Sequence, residues 1–177
     1  MTEGGGDHAG RPGPEVDDGR GWYRSLVVGH QERTPARVVT AAELRQLLAS
    51  TGYRHPLFAE AVRSSVPGGD VPVPGGDVPV PGGLLLGMLG GLAEQCQLLE
   101  VAPVVLAGFN NVRFRRPVVA GDSVWAELRV EGKRTTAGGT GLVDVSWVAR
   151  NQRDDVVVSL VATFAVRGSV RDRPAPA

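Results

Sequence analysis

The stretch TGYRHPLFAE, residues 51–60, holds side chains suited to chemistry. Tyr53 and His55 stand two residues apart, just ahead of Pro56. A tyrosine, with an ordinary pKa near ~10, is a poor base at neutral pH but a good hydrogen-bond donor. His55 has two readings: a proton-transfer group, or a ring that hydrogen-bonds a backbone carbonyl at the turn before Pro56. A polar pair, Asn110–Asn111, opens a strand-like run. Its amides are either donors to a substrate carbonyl or a polar strand end.

The remaining inventory excludes whole classes. Cys96 is the only cysteine, so no internal disulfide forms, and no Cys/His cluster has metal-ligand spacing. Nothing calls for a cofactor. Nineteen basic residues balance nineteen acidic ones, and the pI is about 6.8. The basic stripe that nucleic acid or an anionic membrane requires is missing. No apolar run approaches the ~20 residues of a membrane span. The N-terminus lacks the basic-then-apolar order of a secretory signal. A cytoplasmic location is compatible with the single thiol.

The elements that must position these groups follow from periodicity. ARVVT, residues 36–40, reads as a short strand. In TAAELRQLLAS, Thr40 with Glu43 three residues on forms a capping-box pattern, Leu44, Leu47 and Leu48 repeat at helical spacing, and Gly52 ends the helix. GLLLGMLGGLAEQCQLLE, residues 83–100, reads as one long helix, apolar nearly all round and therefore buried, with Cys96 inside it. Gly87, Gly90 and Gly91 cost it about 1 kcal/mol each relative to Ala. Such a cost calls for close approach by a sheet, a partner helix or a ligand. From Gly108 the period changes to two, and FNNVRFRRPV, DSVWAELRVEGKR, GLVDVSWVARNQ and DVVVSLVATFAVRG read as four antiparallel strands. The last is apolar on both faces and is expected to be central or covered. A sheet wrapped around a helix is an α+β design.

Residues 66–83, VPGGDVPVPGGDVPVPGG, hold two identical seven-residue units and the start of a third. Their Pro and Gly content suits neither a helix nor a paired strand. The segment reads as a loop lengthened by duplication, inert or a lid. The organisation expected is a disordered tail over 1–21, one domain over 22–170 with the expanded loop at 66–82, and a second tail over 171–177.

With its motifs, the layout resembles the MaoC-like hydratase/dehydratase family of hot-dog folds over about residues 38–168. The most specific piece is FNNVRFRRPVVAGD, where Pro117, Val118, Gly121 and Asp122 keep the family's P-V-x-x-G-D spacing. The resemblance implies an antiparallel sheet around a long central helix, and a homodimer whose two sheets join with the pocket at the interface. The family's hydratases carry an acid/base pair in a segment of the form G-D-x-x-P-x-H. Laid on Gly52–Phe58, the Asp position is Tyr53 and the His position is Phe58. Neither replacement is a base at neutral pH. Gly83, at the start of the helix, keeps a backbone N–H able to polarise a carbonyl.

Three functions follow from this. The favoured one is a repurposed enzyme that binds a small hydrophobic substrate, an acyl or polyketide-like chain carried as a thioester, and promotes its cyclisation. Tyr53 and His55 would be its catalytic groups. Phe58, Gly83, Met88, Phe109, Asn110, Asn111 and Trp22 would bind the substrate. The alternatives are a hydratase or dehydratase with an atypical pair, His55 and Glu60, and a non-catalytic subunit of a hydratase heterodimer.

Overall fold

A computed structural model describes residues 19–58, 78–100 and 104–170. The first repeat residues at 66–77, Glu60, and most of both expected tails lie outside the described residues. The element order is α1 (Arg20–Ser25), β1 (Gln31–Arg33), β2 (Arg37–Val38), α2 (Ala41–Thr51), α3 (Gly82–Ala93), α4 (Gln97–Glu100), β3 (Val104–Phe114), β4 (Ser123–Thr135), β5 (Thr140–Asn151) and β6 (Val156–Ser169).

The strands form one antiparallel sheet in the order β1-β4-β5-β6-β3, with β2 also paired to β4. β6 lies inside the sheet, between β5 and β3. Alternation along β5 sends Val143, Val145, Trp147 and Ala149 into the core and Asp144, Ser146 and Arg150 to the other face. Trp125 belongs to that wetter face, yet it is only 9% exposed. The Arg33 guanidinium lies 3.6 Å from its ring centroid and covers it.

The cap of α2 follows the sequence in part. Thr40 Oγ1 accepts the Glu43 N–H at 3.2 Å, and Gly52 ends the helix at φ 75°. The Glu43 carboxylate pairs with Arg37.

The expected helix over 83–100 is two helices. It stops after Ala93 and restarts at Gln97. Local turns hold the break: the Cys96 N–H donates to Ala93 O at 3.0 Å, and Gln95 Nε2 to Gly91 O at 2.9 Å. Glu32 of β1 then accepts the Leu98 N–H at 3.2 Å and fixes the second start. Cys96 is buried in the break, not in a helix. Nor is α3 buried all round. Leu85, Met88, Leu89 and Leu92 pack into the core, whereas Gly87, Gly90 and Gly91 face open space.

The Pro117–Asp122 motif is a structural clamp. Asp122 is 4% exposed, and its Oδ2 accepts the Val119 N–H at 3.0 Å while Oδ1 accepts from Gln152 Nε2 at 2.6 Å. Gly121 sits at φ 94°, in the left-handed region, and its N–H donates to Val39 O at 2.8 Å. Val118 also fixes the approach to α3, because its carbonyl accepts the Val80 N–H at 2.7 Å and Pro79 bridges Val119.

Candidate functional site

A groove of about 610 Å³ lies between α3 and the core-facing side of β3, β5 and β6. Helical steps of ~100° put Gly83, Leu86, Gly87, Gly90 and Glu94 on one side of α3, opposite the Leu85–Leu92 core face. No atom lies within 4 Å of the place a Cβ would occupy on Gly87, Gly90 or Gly91. Among the described residues, then, neither the sheet nor a side chain accounts for these glycines.

The opposite wall is aromatic. Trp147 meets Phe109 edge-on at 5.8 Å between ring centroids and lies tilted against Phe164 at 6.3 Å. Trp147 is 2% exposed, and its indole Nε1–H is buried without a hydrogen-bond partner. Leu106 of β3 completes the rim, half exposed.

At the N-terminal end of α3 stands the Tyr53 group. The Tyr53 hydroxyl is 3.6 Å from the Cβ position of Gly83. Its ring meets Phe58 edge-on at 5.3 Å, and Phe58 lies 6.2 Å from the His55 ring. The first N–H groups of a helix have no intrahelical acceptor and carry its positive end. A carbonyl held here would meet the Tyr53 O–H and the first turn of α3 together. The Phe114 ring packs on Gly82 so closely that a Cβ there would come within 2.5 Å of it.

Among the described residues, His55 bonds a backbone N–H and not a carbonyl. Its Nδ1 accepts the Leu57 N–H at 3.2 Å, so a neutral ring carries its proton on Nε2. Glu94 is the one ionisable side chain among the residues lining the groove. It stands about 16 Å along the helix axis from Gly83, at a rise of about 1.5 Å per residue.

The remaining expected site residues scatter. Gly83 and Phe109 line the groove. Met88 points into the core on the other side of α3. Asn110 turns to the far face of the sheet, where its Nδ2 donates to Thr163 Oγ1 at 3.1 Å and that hydroxyl donates to Asp144 Oδ1 at 2.7 Å. Asn111 is exposed at φ 53°, within an irregularity of the β3–β6 register. Trp22 lies on α1, whose Tyr23 packs on Gly141 and Val170. That is the opposite end of the sheet from Phe114, which pairs with Val158 beside the start of α3. Sequence reasoning missed Trp147 and Phe164. The available signal was their alternation onto the core side of β5 and β6.

Comparison with known proteins agrees with this architecture. The family described as FAS1-like, dehydratase domain region, matches residues 26–160. Among solved structures, the chain is similar to the MaoC-like dehydratase from Rhodospirillum rubrum, with TM-score 0.63, 21% identity, and 85% of this chain and 97% of that one covered. It is similar to the (R)-hydratase from A. caviae involved in PHA biosynthesis, with TM-score 0.59, 25% identity, and 80% and 97% covered. A conserved double hot-dog protein from Mycobacterium tuberculosis gives TM-score 0.59 and 19% identity, with 86% of this chain and 46% of that one covered. No curated protein matches. The long antiparallel sheet, the helix it holds and the match over most of the chain converge: this protein belongs to the FAS1-like dehydratase-domain family, with a hot-dog fold of the MaoC-like hydratase/dehydratase kind.

Proposed function

We propose that the chain is a repurposed hot-dog enzyme that binds a hydrophobic acyl or polyketide-like chain, carried as a thioester, and promotes its cyclisation. The observation that carries this reading is the Tyr53–Phe58 contact at the mouth of the groove. Where a hydratase of this type needs an acid/base pair, this chain sets two aromatic rings in contact. The groove carboxylate, Glu94, is far from that end. Activating water requires groups that take and return a proton at one carbon. Closing a ring within a bound chain requires a folded substrate and a polarised carbonyl. The Tyr53 hydroxyl and the first turn of α3 supply the donors, and the aromatic wall shapes the chain. In a pericyclic closure the new σ bonds come from the substrate's own π electrons, so no protein base is needed.

The working unit in this reading is a homodimer. Among the described residues β3 ends the sheet with an unpaired edge, and Val105, Leu106 and Phe114 on it are about half exposed. A second copy paired along that edge would cover them and close one side of the groove.

The test offers the purified protein a linear unsaturated acyl thioester and looks for a ring-closed product by mass spectrometry and NMR. In parallel it is offered a short trans-enoyl thioester, with loss of conjugated absorbance as the readout. Ring closure that falls on Tyr53→Phe and Phe58→Ala, without enoyl hydration, supports the reading. Enoyl hydration abolished by His55→Ala would replace it with that of a hydratase using an atypical base. The His55 bond to the Leu57 N–H uses Nδ1 and does not engage Nε2.

A further inference from the structure

We infer that Trp147 is a specificity-determining donor in the groove: its indole N–H binds an oxygen carried part-way along the acyl chain, a keto or hydroxyl group. The ligand is then an oxygenated chain, not a plain alkyl one. This rests on the groove being the ligand site.

Trp147 is 2% exposed, lines the groove, and its Nε1–H has no acceptor among the described residues. Buried polar groups are almost always paired, and a phenylalanine would fill a core position without leaving an orphan. Of the residues lining the groove, Phe109 and Phe164 present rings, the glycines of α3 present no side chain, and Glu94 at the far end of α3 carries the one carboxylate. The last carbonyls of α3 accept from Glu94, Gln95 and Cys96. Space is present as well, since nothing lies within 4 Å of a Cβ position on Gly87 or Gly90. The nitrogen is buried, so an acceptor reaches it only if a neighbouring ring yields; the half-buried Phe109, edge-on to Trp147, is nearer than Phe164. A site whose buried donor is paired only by the right ligand rejects the analogue that lacks the acceptor by about tenfold or more.

The probes are octanoyl-N-acetylcysteamine and its mid-chain keto analogues. Affinity is measured by calorimetry, and the Trp147 indole resonance is followed in a 1H–15N spectrum and identified by its loss in Trp147→Phe. The expected result is that one keto analogue binds at least about tenfold tighter than the octanoyl probe. Only that analogue moves the Trp147 resonance downfield, and Trp147→Phe makes the two affinities equal. Equal affinities in the wild type with an unmoved resonance would overturn the inference and leave the groove as a plain acyl site. Binding of neither class would overturn the groove reading itself. A resonance already downfield and indifferent to every probe would mean that a second copy supplies the acceptor, and the inference fails. If Trp147→Phe does not fold, the Trp147 resonance is identified as the one kept in both Trp22→Phe and Trp125→Phe, and the wild-type affinities and spectra decide.

Discussion

Tyr53 and Phe58 carry the functional reading at the scale of single residues, and Tyr53 gives the sharper test. Removing one donor aimed at a developing charge costs about a hundredfold in rate. Tyr53→Phe is therefore expected to slow ring closure of a supplied intermediate by about that factor while KM stays close to wild type, as single-turnover and steady-state assays together would reveal. Cys96 yields a second prediction. Burial, and then the nearby Glu32 carboxylate, push its thiol above the ordinary thiol range. The folded chain thus prefers the protonated thiol. Its contribution to stability is full below the unfolded thiol's pKa and is lost as pH rises through the folded value. Native protein is expected to leave Cys96 unmodified by a thiol reagent at neutral pH, and Cys96→Ala to remove part of the alkaline loss of stability seen in melts. Residue-level legibility was uneven. Tyr53 and Phe58 stood out because a motif fixes their spacing. The face that Asn110 takes was not legible, because strand alternation gives a period but not its phase. The register shifts at Leu106–Gly108 and Asn110–Arg113 decide which face each side chain takes.

Among elements, α3 is the one whose sequence carries a cost without a protomer-level reason. With open space at Gly90, Gly90→Ala is expected to raise stability by up to about 1 kcal/mol in thermal or denaturant melts. Gly90→Leu should keep the fold and abolish acyl-probe binding by filling the groove. Loss of folding in either variant would mean that the stripe serves packing. The sequence announced the glycines but not what they face, because helical periodicity cannot say whether a wall stands opposite. The break between α3 and α4 was equally hidden. Its partner, Glu32, lies 66 residues from Leu98 in the chain, beyond any local pattern. Caps and turns held up better. Thr40, Gly52 and Gly121 act through bonds or backbone angles set within a few residues.

For the whole molecule, the antiparallel α+β design was legible because four long strands follow one another with polar turns between them. Strand order, with β3 at one edge, was not legible, because periodicity does not say which strands pair. That edge gives the test of assembly. Leu106→Lys sets a charge on the apolar rim and is expected to convert a dimer to a monomer in light scattering, with the far-ultraviolet circular dichroism unchanged. The Val80–Val118 pairing has a consequence for heredity. It locks the start of α3 from its own side, so the number of seven-residue units ahead of it does not set where the helix begins. Removing one unit changes the closure entropy of the connection by only about 0.3 kcal/mol. Deletion of residues 66–72 should therefore leave the melting curve in place. Tandem units whose coding sequence also repeats invite slippage during replication, and this anchor makes their gain or loss nearly invisible to selection on folding. Copy number at this position would then track lineage, as a microsatellite does, while the chemistry a few residues downstream stays constant.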